Sequence, residues 1–150
     1  MTKMRPMRFD DLDWVAECER EIRSFAWGLS QFADSIAAGH LCRVLEGEAG
    51  LLGYAVVMQV LDEAHLLNIG IARAEQGRGL GAFLLDALCL QMKQGGAAGI
   101  FLEVAVGNEP ALRLYQGHGF ETLGRRKAYY PAAGGGREDA LVMKKELPGC

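Results

Sequence analysis

The sequence predicts one α/β domain of the α+β kind: a mixed, mostly antiparallel seven-stranded sheet with four helices, in the order β-α-α-β-β-β-α-β-α-β-β. Three observations carry this. Residues 41–71 hold three apolar, strand-like runs divided by tight turn signals, which is an antiparallel meander. Residues 80–92 then change to helical spacing, directly after a turn of alternating glycines. The chain has 150 residues, 50% apolar and 23% charged, which is enough for a real core and points to a single domain over residues 1–150.

Residues 4–9 read as the first strand. Asp10 or Asp11 then caps a helix that places Leu12, Val15, Cys18 and Ile22 on one face. Trp27 sits in the following break, and Ser30 reads as the cap of a second short helix with Phe32 and Ile36 inward. Residues 41–45 and 51–60 form a hairpin through Gly47-Glu48-Ala49-Gly50, and Asp62-Glu63 turns the chain into a strand over 64–71. In the next helix Leu80, Phe83, Leu84, Ala87, Leu88, Gln91 and Met92 keep helical spacing until Gly95-Gly96 ends it. Residues 100–104 are a nearly continuous apolar run, as in a buried strand. Asn108 caps the last helix, Pro110 suits its first turn, and Gly117 and Gly119 close it. Residues 120–130 and 140–145 supply the final strands, separated by a glycine-rich loop at 132–136.

Composition narrows the function. A net charge of −3 argues against a general nucleic-acid binder and suits a basic protein or amine as partner. Cys18, Cys42, Cys89 and Cys150 form no C-x-x-C pair, and His40, His65 and His118 lie at no ligand spacing, so no metal site is expected. Sparse cysteines, no long apolar run and no leader-like N-terminus give a cytoplasmic, non-membrane expectation.

The glycine turn is the strongest chemical signal. It exposes backbone amides at a helix start, where phosphate binds readily. A Walker A loop fails for want of a Gly-Lys-Ser/Thr ending. Gly77, Gly79 and Ala82 fit a dinucleotide fingerprint on paper, with Glu103 further on. However, the turn follows a meander rather than a repeated βαβ unit. The third pattern is Gln76-x-x-Gly79-x-Gly81, with Arg73 and Arg78 adding positive charge nearby. In this element order it resembles the acyl-CoA signature of the GNAT superfamily of N-acetyltransferases.

The resemblance covers essentially the whole chain. It rests on Leu61-Asp62-Glu63-Ala64, Leu67-Asn68-Ile69, residues 76–81, Leu102-Glu103-Val104, Asn108, Ala111-Leu112-x-Leu114-Tyr115, Gly119-Phe120, Tyr129-Tyr130-Pro131 and Gly136-Arg137-Glu138-Asp139-Ala140. The last two stretches are most similar to the RimI type, which acetylates the N-terminal alanine of a small-subunit ribosomal protein. The chain departs from that pattern at Ala26, where a proline often precedes the tryptophan, and in the glycine-rich loop after Pro131.

What the resemblance implies is an acetyl-CoA-dependent enzyme, with no metal, acting on a protein N-terminus as a monomer or weak dimer. Glu103 would be the general base, acting through water, and Tyr115 would protonate the departing sulfur. Ile69, Gly70 and Ile71 would hold the acetyl group and its oxyanion. Gln76, Gly77, Arg78, Gly79, Leu80, Gly81 and Ala82 would hold the CoA phosphates, and Asn108 the pantetheine arm. Trp27, Tyr129, Tyr130, Glu138 and Asp139 would line the substrate groove.

Each role has a plainer alternative. Glu103 is the one charge in residues 100–106 and could simply face solvent at a strand end. Tyr115 could be a core aromatic beside Leu112, Gly70 a plain strand glycine instead of a bulge site, and Asn108 only a helix cap. Glu138 and Asp139 could belong to a solvated hairpin. Energetics mildly favour an α-amine acceptor. Freeing an amine of pKa ~8 at pH 7 costs about 1.4 kcal/mol, against about 4.6 for a lysine of pKa ~10.4. A small-molecule amine or a protein lysine stays open as acceptor, as does a non-catalytic acetyl-CoA-binding module.

Overall fold

The computed structural model describes residues 1–132 and 134–148, so Ala133 in the 132–136 loop and Cys150 lie outside the described residues. Strand β1 (Lys3–Pro6) stops earlier than the expected residue 9, and a 3-10 turn at Phe9–Asp11 follows. The cause is Asp11. Its carboxylate accepts from the Arg8 amide at 2.8 Å and from Arg5 at 2.9 Å, which folds the chain back. That carboxylate therefore makes no cap bond to helix α1 (Leu12–Ile22), although Asp11 occupies the cap position. Helix α2 (Leu29–Ala37) starts one residue before Ser30. Gly28 is its cap, and the Gly28 amide donates to the Gln31 side chain at 2.8 Å.

Strands β2 (Leu41–Gly47), β3 (Gly50–Val60) and β4 (Glu63–Ile71) form the antiparallel meander. Helix α3 (Leu80–Gln94), strand β5 (Gly99–Ala105) and helix α4 (Glu109–Gly117) come next. Asn108 does cap α4, accepting from the Ala111 amide at 3.3 Å. Strands β6 (Glu121–Pro131) and β7 (Arg137–Glu146) close the chain, with β7 beginning before the expected residue 140 because Arg137 and Glu138 pair with Pro131 and Tyr130.

The seven strands make one sheet in the order β1-β2-β3-β4-β5-β7-β6, antiparallel everywhere except between β4 and β5. Alternation along β3 shows how it divides its faces. Tyr54 and Val56 pack with α1 and α2, around Val15, Cys18 and Phe32. Ala55 and Val57 pack with α3 and α4, around Leu84, Leu88 and Tyr115. Cys18, Cys42 and Cys89 are free and buried. Among the described residues no helix is long and apolar enough to cross a membrane.

β4 contains one more residue than β3 opposite it: Val56 faces Asn68, while Val57 faces Leu66, so Leu67 is bulged out. The inward parity changes there, from Ala64 and Leu66 to Ile69 and Ile71. The bulge is thus at Leu67, not at Gly70. Gly70 has a different cause. A Cβ there would lie 2.3 Å from the Tyr54 hydroxyl and 2.8 Å from the Ile22 Cδ1.

Candidate active site

β4 and β5 part company early. They pair only from Glu63/Gly99 to His65/Phe101, although both strands continue. β5 stays with β7 along its whole length, and β4 stays with β3, so the sheet opens as a V. A cleft of about 720 Å³ fills that opening. It runs through the sheet, because its lining comes from both sides. Glu19, Arg23 and Trp27 of the α1–α2 region, with Tyr130 and Glu138 of the β6–β7 hairpin, lie at one mouth. Gln76, Gly77, Gly79, Leu80 and Gly81, with Asn108, Ala111 and Tyr115, lie at the other.

A parting sheet strands backbone groups that must find partners. Two β4 carbonyls find them in side chains: Arg23 donates to Ile69, and Gln76 donates to Ile71 at 3.0 Å. In a strand, the N–H and C=O of one residue point to the same side. The amides of Ile69 and Ile71 therefore face the opening as well.

At the far mouth, Gly77 and Gly79 have φ of +81° and +78°, the left-handed region that favours glycine. Gly79 is the cap residue of α3 and has no side chain to satisfy the first amides. The first α3 amide bonded within the helix is that of Phe83, to the Gly79 carbonyl. The preceding amides are left as donors, a phosphate-compatible helix start. Arg78 lies outside the cleft and pairs with Glu75, and Ala82 is likewise not in the lining.

Glu103 and Tyr115 both reach the cleft from opposite faces of the sheet. Glu103 alternates with Leu102 and Val104, which are buried under α3, so its carboxylate is on the α1–α2 side. Its Oε2 lies 2.7 Å from Arg126 Nε, an ion pair by distance, but makes no aligned hydrogen bond and is shielded from solvent. Tyr115 packs edge-on against Phe120 with ring centroids 5.6 Å apart. Burial pushes its phenol up to about 12, opposed by the Arg23 cation. Tyr130 is also pushed up to about 12, by burial first and then by the charges of Glu103 and other neighbours.

Glu19, Arg23 and Tyr54, which the sequence reading did not single out, form a polar knot with Trp27 and Asn68 at the α1 mouth. Glu19 is 0% exposed. Its carboxylate accepts from the Tyr54 hydroxyl at 2.7 Å, Arg23 Nε at 2.9 Å, the Trp27 amide at 3.0 Å and Asn68 Nδ2 at 3.2 Å. Arg23 also donates to Asn68 Oδ1 at 3.0 Å. Burial is the largest single influence and works against the Arg23 charge, but Glu19, Tyr54 and Tyr115 together hold the guanidinium above its ordinary value. The available signal was Glu19 itself, four residues after Val15 and so inside the apolar stripe of α1.

Two expected groove residues are outside the cleft. Tyr129 is 42% exposed, meets Tyr130 edge to face and lies beneath Arg126. Asp139 accepts from the Ala128 amide at 2.8 Å and from Arg125 at 2.5 Å, and so braces β6. The histidines are also used elsewhere. His118 bridges Asp86 at 2.5 Å and Lys145 at 3.0 Å, and His65 stacks on Phe101. Among the described residues no cluster of three His, Cys, Asp or Glu could hold a metal.

Comparison with known proteins bears on the family and the fold. The chain matches the model of the acetyltransferase (GNAT) family over residues 6–120. It is 36% identical over 133 residues to the ribosomal protein bS18-alanine N-acetyltransferase of Haemophilus influenzae, covering 89% of this chain and 90% of that one. The protein of the same name from Escherichia coli K12 is 33% identical over 143 residues, covering 95% and 96%. The crystal structure of the ribosomal-protein-S18-alanine N-acetyltransferase from Escherichia coli superposes with a TM-score of 0.93 at 31% identity, over 100% of this chain and 96% of that one.

Proposed function

The chain belongs to the acetyltransferase (GNAT) family, and from that premise we propose that it moves the acetyl group of acetyl-CoA onto the N-terminal alanine of ribosomal protein bS18. The observation that carries this is the slot through the sheet, with a phosphate-compatible helix start and Tyr115 on one side and Glu103 on the other. Relatives at 33% and 36% identity named for the same reaction support the choice of acceptor.

Acetyl-CoA supplies the activated acyl group. The uncapped α3 amides and the glycines 77 and 79 fit its phosphates, and Asn108, Ala111 and Leu114 border the path of its arm. The β4 amides of Ile69 and Ile71 face the slot, where they donate to the oxygen on which charge develops. Glu103 takes the proton of the attacking amine through water. Tyr115 donates to the leaving sulfur. Its raised pKa keeps the proton in place until that sulfur becomes charged in the same dry surroundings. Trp27, Tyr130 and Glu138 border the mouth through which the peptide N-terminus enters.

The experiment is product mass spectrometry after incubation with acetyl-CoA, an N-terminal bS18 peptide, the same peptide with its α-amine blocked, and a panel of small amines. Acetylation of the free peptide at its α-amine is expected; acetylation of the panel alone overturns the acceptor. Glu103→Gln should lower kcat by ~10²–10⁴. Unchanged turnover at every pH would remove Glu103 as the base.

A further inference from the structure

A second charged residue is aimed at Glu103. Between Arg126 and Tyr130, β6 advances four residues while β7 advances two, from Ala140 to Glu138. Ala128, within that irregular stretch, has φ of +50°, a left-handed backbone that an alanine adopts only under constraint. The constraint is Asp139, which binds the Ala128 amide with one oxygen and Arg125 with the other. Arg126 stands at the near end of the stretch, opposite Ala140, which pairs in turn with Ala105 of β5. Cross-strand partners share a face, so Arg126 and Glu103 lie on the same side of the sheet.

Arg126 uses that position. Its guanidinium lies 5.4 Å from the Tyr129 ring centroid, and its Nε meets Glu103 Oε2 at 2.7 Å. Oε2 is closed to solvent, yet the Glu103 side chain keeps 31% of its exposure. The two carboxylate oxygens are therefore unlike: Oε2 is closed off beside the Arg126 cation, and the exposure of the side chain lies elsewhere on it. A carboxylate on a free torsion would swap them.

We propose that Arg126 is a positioning residue for acetyl transfer, clamping Oε2 so that Oε1 is the oxygen that receives the amine proton. The proton leaves the amine nitrogen, crosses one water and ends on Oε1, while Arg126 keeps all of its own. This rests on the reading of Glu103 as the base. Tyr129 then gains a part although it lies outside the cleft, because its ring is the floor that fixes the Arg126 guanidinium.

The test is a double-mutant cycle with steady-state kinetics on wild type, Arg126→Met, Glu103→Gln and the double variant, with Arg126→Lys alongside. Arg126 is on an edge strand and its side chain is 57% exposed, so the fold should tolerate all of these. Arg126→Met is expected to lower kcat about ten- to a hundred-fold, the scale of a misplaced catalytic group, without changing KM for acetyl-CoA. Arg126→Lys should recover part of the loss. In the Glu103→Gln background, Arg126→Met should cause no further loss. Losses that multiply, or no loss from Arg126→Met, would overturn the positioning role and leave Glu103 as base intact. If Glu103→Gln itself keeps full kcat, the base assignment falls, and the role of Arg126 falls with it.

Discussion

Replacing Glu19 by alanine should be among the most damaging single changes to stability in this chain. The carboxylate is 0% exposed and accepts four hydrogen bonds, from Tyr54, Arg23, Trp27 and Asn68. Bonds to a charged group contribute about 1.5–3 kcal/mol each, but they are not additive within one knot. The partners left behind cost more than the bonds themselves. Arg23 would keep only Asn68 Oδ1 and the Ile69 carbonyl, and the Tyr54 hydroxyl would be left without its acceptor in the core. Arg23 is 34% exposed and can turn partly to water, but the Tyr54 hydroxyl and the space left by the buried Glu19 side chain cannot, so the change costs about 3–5 kcal/mol. In a domain of this length that lowers Tm by roughly 6–20 °C. Urea titration of Glu19→Ala, followed by far-UV circular dichroism, measures it. Arg20→Ala on the same helix is the control: its pair with Glu17 is exposed, so the change should stay within about 0.5 kcal/mol. A Glu19→Ala loss below about 1 kcal/mol would refute the reasoning, since water would then be replacing the four partners freely.

Two further outcomes follow from the same packing. Burial lifts the Tyr115 phenol to about 12, so it remains a proton donor throughout an ordinary assay range. The kcat–pH profile should not fall between about pH 8 and about pH 10; a fall centred near pH 9 that Tyr115→Phe abolishes would contradict the assignment. Gly70→Ala would place a methyl 2.3 Å from the hydroxyl of the fully buried Tyr54, which is tied to Glu19 and cannot step aside. The expected loss is about 1–3 kcal/mol by chemical denaturation, and an unchanged midpoint would mean that the strand shifts instead.

Much of the architecture is legible in the residues because local pattern and global fold agree. The nearly continuous apolar run at 51–60 between turn signals, helical spacing in 80–92 and the Asn108–Pro110 start each specify one element without tertiary help. The failures occur where a side chain is used at a distance. Asp11 looks like a helix cap, but Arg5 and the Arg8 amide claim its oxygens. Asp139 looks like a groove acid, but it braces Ala128. Gly70 looks like a bulge, but it makes room for Tyr54. The true bulge was readable: the run Leu66-Leu67 breaks the alternation that precedes Asn68. Arg126 gave no such sign, because nothing local distinguishes it from its basic neighbours Arg125 and Lys127.

The bulge also explains why a slot exists. β4 and β5 are paired as far as His65 and Phe101, and Leu67 is inserted just beyond. An extra residue bends its strand and increases its twist. β4 is bound to β3 on its other edge, and β5 to β7, so the bend separates the two parallel strands instead of tearing either antiparallel pair. The separation leaves the β4 carbonyls of Ile69 and Ile71 to Arg23 and Gln76, one from each mouth of the cleft. Arg23 is in turn held by Glu19, so the knot under α1 reaches the backbone at the strand end. One inserted residue thus makes the opening, and two polar side chains take up the β4 carbonyls that it leaves unpaired.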